Sequence, residues 1–186
     1  MDYLLNYLAS ALDPAIGPSA RLLALQCALR ASPAGEVCLP AGLLRGIGLG
    51  GLISPWKELE YDGWLRVYAA TARGFGHLHI EAWVLDAIAL LQDGGAADRV
   101  RAADWALRTM ALARKSGLDG LGQLSFLAMA AHTAADGTGV TEADRLARCC
   151  ALPTSTLLHV LGTLRRKSGL ISWDLTQEDV RWHLLG

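Results

Sequence analysis

EADRLARCCALPTSTLLHVLGTLRRKSGLISW, residues 142–173, is the stretch whose reading decides the fold. Leu146-Ala147 lies in a run of helix formers that breaks at Leu152-Pro153, because a proline disfavours helical backbone in the residue before it. A second helix opens on Thr154, Ser155 and Thr156, whose hydroxyls suit a helix start, and ends on three cations, Arg165, Arg166 and Lys167. Leu157, Leu158, Leu161 and Leu164 are the expected buried stripe, which turns Thr154, Ser155, His159, Gly162, Thr163 and Arg166 outward. Thr141 is placed to cap the first helix, with Asp144 at its third position. Gly169 falls where a helix C-cap needs positive φ, and Leu170 onward reads as the first strand of a hairpin with its tip at Thr176–Asp179.

The same grammar occurs earlier in the chain. A shift of 103 residues brings Val37, Leu43 and Leu49 onto Val140, Leu146 and Leu152. Apolar helical stretches precede both sets, RLLALQCALRA from Arg21 and LGQLSFLAMAAHTA from Leu121, and short extended pieces follow, EVCLP and GVTEA. Each copy predicts helix, short strand, helix, turn, helix and two-stranded hairpin. In the first copy Gly63 is the expected C-cap, Trp64–Ala70 the outgoing strand, TARGFG the tip with Gly74 and Gly76, and HLHIEA the return. Between the copies, residues 96–117 place Val100, Ala103, Leu107, Met110 and Ala111 at helical spacing. The expected architecture is therefore mainly α with small β-hairpin wings: two winged helix-turn-helix domains, 1–93 and 121–186, joined by an α-helix within 94–120. That helix and the N-terminal one, with Leu4, Leu5, Leu8 and Leu12 on one side, either pack internally or form a dimer seam; a homodimer is one expectation.

Residues 140–171 resemble the DNA-binding domains of MarR-type and IclR-type winged-helix regulators. The resemblance rests on Val140-Thr141, Leu146-Ala147, Leu152-Pro153, Ser155-Thr156, the spaced Leu161 and Leu164, and Gly169-Leu170-Ile171. It implies that the second helix of the motif reads double-stranded DNA. Ser and Thr at a helix start donate to phosphates or base edges, and arginine does either in a major groove. Thr154, Ser155, His159, Thr163, Arg165, Arg166 and Lys167 are the candidate DNA-binding residues. The same three cations also offset the macrodipole of their own helix.

The first copy departs from this pattern. Glu60, Tyr61 and Asp62 stand opposite Arg165, Arg166 and Lys167, which would repel phosphate and suits protein contact instead, with Trp56 and Tyr61 as anchors; the alternative is that both aromatics fill the core. The first hairpin still carries Arg66 and Arg73, the latter placed for a minor groove.

Composition agrees with a globular chain. The 186 residues are 52% hydrophobic and 19% charged, with net charge −1, and the apolar runs are too short or too interrupted to span a membrane. Residues 1–93 hold 6 Lys/Arg against 9 Asp/Glu and residues 94–186 hold 11 against 9, so a nucleic-acid face belongs mainly to the second half. Asp2 stands where a secretory signal carries cations, so a cytoplasmic location is expected. Cys27, Cys38, Cys149 and Cys150 show neither disulfide nor zinc-finger spacing and read as buried free thiols. His77-Leu78-His79 sets two imidazoles on one strand face, yet without a recognisable cysteine or carboxylate partner neither metal site nor cofactor is expected. GIGLGG, residues 46–51, follows a helix rather than a strand and is no phosphate loop, and no nucleophile motif or H-E-x-x-H pair occurs, so no enzyme is expected. Two expectations remain: a bacterial DNA-binding protein for transcriptional regulation or for plasmid or chromosome maintenance, or a tandem winged-helix scaffold similar in architecture to a subunit of bacterial condensin.

Overall fold

The computed structural model describes residues 1–70, 79–86, 95–167 and 170–184. The first half runs α1 (Asp2–Ala11), α2 (Pro18–Arg30), β1 (Glu36–Pro40), α3 (Ala41–Gly46), α4 (Ser54–Tyr61), β2 (Leu65–Ala70) and β3 (His79–Val84). The second runs α5 (Ala96–Lys115), α6 (Gly120–Ala131), β4 (Thr138–Glu142), α7 (Ala143–Cys149), α8 (Thr154–Lys167), β5 (Leu170–Thr176) and β6 (Asp179–Leu184). The fold is mainly α with two small antiparallel sheets, ordered β1-β3-β2 and β4-β6-β5. In each, the short strand before the helix pair joins the return strand of the hairpin. Gly63 has φ 75° at the end of α4, as expected, and the second hairpin turns tightly between paired Thr176 and Asp179. Ser168 and Gly169, and the first hairpin's tip with Arg73, Gly74, Gly76 and His77, lie outside the described residues.

The two halves repeat, but not at one constant shift. β1 and β4 correspond at a shift of 102, which sets Val37 over Gly139 and Leu44 over Leu146. Val37 is buried whereas Val140 is 54% exposed, so pairing Val37 with Val140 is one residue out of register; in a strand such a slip exchanges the two faces. α7 is one residue longer than α3, which restores the shift of 103 at Leu49 and Leu152. α8 has 14 residues against 8 in α4. Aligning Leu59 on Leu164, both fully buried, puts the extra length at the N-terminal side, so Ser155 has no helical counterpart in the first half.

One continuous core joins the halves. α2 is buried on every side from Ala20 to Leu29 and packs on α1, α4, α5 and α6, as expected of a helix apolar all round. α1 turns Leu4, Leu5, Leu8 and Leu12 into that core and packs on α2, α6 and α7. In α5 the buried stripe is Ala103, Ala106, Met110 and Ala113, with Val100 exposed. The expected stripe was rotated because alanine carries little weight in a hydrophobicity pattern, yet small side chains are what let α5 lie close to α2. Arg21 is only 3% exposed, and burial pushes its guanidinium below the usual arginine value while Asp62 and Asp13 oppose the shift. It donates to the carbonyls of Ile16, Leu8, Leu12 and Asp13 at 3.1, 3.2, 3.4 and 2.8 Å, satisfying the orphan end of α1 with a cation where the helix dipole favours one. Among the described residues no helix is long and apolar enough to cross a membrane.

Candidate nucleic-acid interface

α7 and α8 are joined by a turn that fixes their angle. Leu152 N–H donates to Ala147 O at 3.0 Å and Ala151 N–H to Arg148 O at 2.9 Å, the paired closure of a Schellman motif. Ala151, at φ 52°, occupies the left-handed position where glycine is usual. Across the turn, Thr154 Oγ1 donates to Asp144 Oδ1 at 2.6 Å, tying the N-terminal ends of the two helices together. Thr141 does not cap α7: it is buried in β4 opposite Val180, Glu142 is the N-cap, and no side chain caps the helix.

The buried stripe of α8 is Leu157, Val160, Leu161 and Leu164, while Leu158 is 38% exposed. Val160 displaces Leu158 because it lies about 40° around the axis from Leu164 whereas Leu158 lies about 120° away, and angle outweighs the extra methylene. At 3.6 residues per turn, Ser155, His159, Gly162 and Arg166 line up about 180° around the axis from that stripe. Ser155, His159 and Arg166 are exposed. Thr163 donates to His159 O and accepts from Arg166 Nη2, both at 3.2 Å, so Arg166 folds back along the helix. Thr154 spends its proton on Asp144, which leaves Ser155 as the outward hydroxyl of the first turn. Arg165, Arg166 and Lys167 are all exposed, and none is ion-paired among the described residues.

Sequence reasoning missed cations that the fold adds to this end. Lys167 Nζ donates to Gly117 O at 3.4 Å, which sets the end of α8 against the end of α5. Arg114 Nη1 donates to Arg45 O and Gly46 O at 3.1 and 3.3 Å, which sets the end of α5 against α3. Arg45, Arg114, Lys115 and Lys167, all exposed, thus gather where three helices end. No local pattern could show this, since the residues come from both halves and the helix between them.

The first half presents different chemistry. Trp56 is 1% exposed and is no surface anchor: it occupies the core position that Leu161 takes in α8. Tyr61 is 97% exposed. The acids of α4 serve the fold, Glu58 accepting from Gly17 N at 2.9 Å and Ser54 Oγ at 2.8 Å, Glu60 from Val67 N at 3.0 Å, and Asp62 from Asp13 N at 3.4 Å. Arg66 is exposed on β2. Cys27, Cys149 and Cys150 are buried, and burial pushes the Cys27 and Cys150 thiols up to about 12. Cys38, expected to be buried, is exposed: in β1 the alternate positions Val37 and Leu39 take the core face, so Cys38 must point outward.

No protein-family model, curated protein or solved structure matches the chain.

Proposed function

We propose that this chain binds duplex DNA as a tandem winged helix-turn-helix protein of the transcription-regulator kind, with α8 as its reading helix. The observation that carries the reading is the outward stripe of Ser155, His159 and Arg166, which lies opposite the buried face of α8 and ends in cations unpaired among the described residues. A helix of this length spans about 21 Å and its diameter suits a B-DNA major groove about 12 Å wide. α4 lacks the N-terminal turns that would carry such a stripe, so the second half reads and the first half supports. The scaffold reading keeps only Tyr61 as an exposed anchor, because Trp56 belongs to the core.

The test is retention of sheared genomic DNA by the purified protein at low and moderate salt, with sequencing of the retained fragments. The expected result is one recurrent site, an inverted repeat if the protein binds as a dimer. Replacing Arg166 by Ala should lower affinity for that site by about 1–3 kcal/mol, the size of a base-reading arginine contact. Absence of retention at low salt would overturn the reading in favour of a protein scaffold.

A further inference from the structure

The outer face of the first sheet holds a group of side chains that DNA binding does not use. Cys38 on β1 pairs across the ladder with Glu81 on β3, and His79 shares a face of β3 with Glu81 because strand side chains alternate. His79 Nε2 lies 3.2 Å from Glu81 Oε1. The Cys38 sulfur, an imidazole nitrogen of His79 and a carboxylate oxygen of Glu81 all lie within 4.8 Å of one another. Cys38 is exposed and the other two are half-buried, so a solvated ion can reach all three.

We propose that Cys38, His79 and Glu81 form a three-ligand site for zinc. Sulfur, nitrogen and carboxylate oxygen are the donor types that zinc accepts, and three protein ligands with water in the fourth position is an established zinc arrangement. Thiolate with imidazole selects against magnesium and calcium, which take oxygen donors. Around a tetrahedral zinc ion the donor atoms stand about 3.5 Å apart, so the widest pair needs to close by only about 1.3 Å, within the reach of side-chain rotation on an open sheet face. Binding deprotonates the Cys38 thiol and releases that proton to solvent. The site is also not a by-product of the repeated fold. The corresponding positions of the second sheet, fixed by the same pairing, hold Val140, Asp179 and Arg181, a set with no soft donor and a cation in place of Glu81.

Titration of the untagged full chain with zinc, followed by calorimetry and native mass spectrometry, tests this. Cobalt substitution reports the thiolate ligand through its visible absorption. The expected result is one zinc per chain, a cobalt–thiolate band, and a Tm raised by zinc. Cys38→Ser and His79→Asn should each lower affinity by at least the 10–100-fold lost when only a supporting residue of a metal site is removed. Cys38→Ser should also abolish the band. Cys38 is exposed and His79 half-buried, and an unchanged circular dichroism spectrum verifies that the variants fold. Binding of less than one equivalent, or zinc affinity unchanged in folded Cys38→Ser, would overturn the proposal, as would a preference for magnesium over zinc. None of these readouts involves DNA.

Discussion

His132 shows how much a single residue can add to the docking of a helix. It stands at the end of α6 with its Nε2 3.2 Å from Asp2 Oδ1, and Arg145 Nη2 lies 2.5 Å from Asp2 Oδ2. The imidazole is largely buried, and that burial holds its pKa below the usual 6.5; Asp2 pulls it up and Arg145 pushes it further down. A folded-state pKa below the unfolded one means that the folded chain binds the proton less readily, so this contribution is present above pH 6.5 and is lost as pH falls below it. Denaturant midpoints measured from about pH 7.5 to about pH 5.5 should fall in the native chain, and the fall should be smaller in His132→Gln. An equal fall in both would locate the pH dependence elsewhere. At this scale the sequence was a partial guide. That Trp56 takes the core, one of its two expected places, while Cys38 leaves it follows from angle and alternation: a helix position shared with a buried leucine takes tryptophan inward, and one strand step takes cysteine outward.

Among the elements, the strands and the glycine turn after α4 were legible in the sequence, and the register of the short strands was not. Gly48 at φ 79° and Gly63 at φ 75° are readable because few residues other than glycine take that backbone at little cost. The turn after α3 closes through Leu49 N–H to Leu44 O and Gly48 N–H to Arg45 O, the same pair of bonds that closes the turn after α7. Ala151 therefore does in the second half what Gly48 does in the first, against a left-handed cost of roughly 1–2 kcal/mol for a residue with a Cβ. Ala151→Gly removes that cost and adds back part of it as unfolded-chain freedom, so equilibrium unfolding should show a net gain of about 0.5–1 kcal/mol. A loss would mean that the Ala151 methyl group packs better than its backbone suggests. The strand register escaped the sequence for a related reason. A five-residue strand carries only two core positions, Val37 and Leu39 in β1, and in β4 these become Gly139 and Thr141, so no hydrophobic pattern marks the face. Space decides it instead: a Cβ on Gly139 would stand 2.2 Å from the indole of Trp182, whose Nε1 donates to Thr133 Oγ1 at 2.9 Å.

At the scale of the whole molecule, the question is why α3, α5 and α8 should end together among cations. Lys167 and Arg114 each donate to carbonyls at another helix's end, and cations there offset converging negative dipole ends whether or not DNA is present. Arg45 and Lys115 stand in the same place and donate to none of those carbonyls. A structural role accounts for the first pair; on the proposed DNA-binding reading, phosphate contact would account for the second. The two roles separate in a salt series, since each phosphate neutralised contributes about 0.9 to the slope of log affinity against log salt. If these cations extend the surface of α8, the doubly substituted chain Arg45→Ala, Lys115→Ala should keep its unfolding free energy within about 0.5 kcal/mol and lose close to 2 units of slope for its DNA site. Arg114→Ala should instead lower stability by about 0.5–1.5 kcal/mol, since Gly46 O loses its donor while Arg45 O keeps Gly48 N–H. An unchanged slope in the double variant would confine the DNA surface to α8 and leave the gathered cations as caps that bind the two halves into one body.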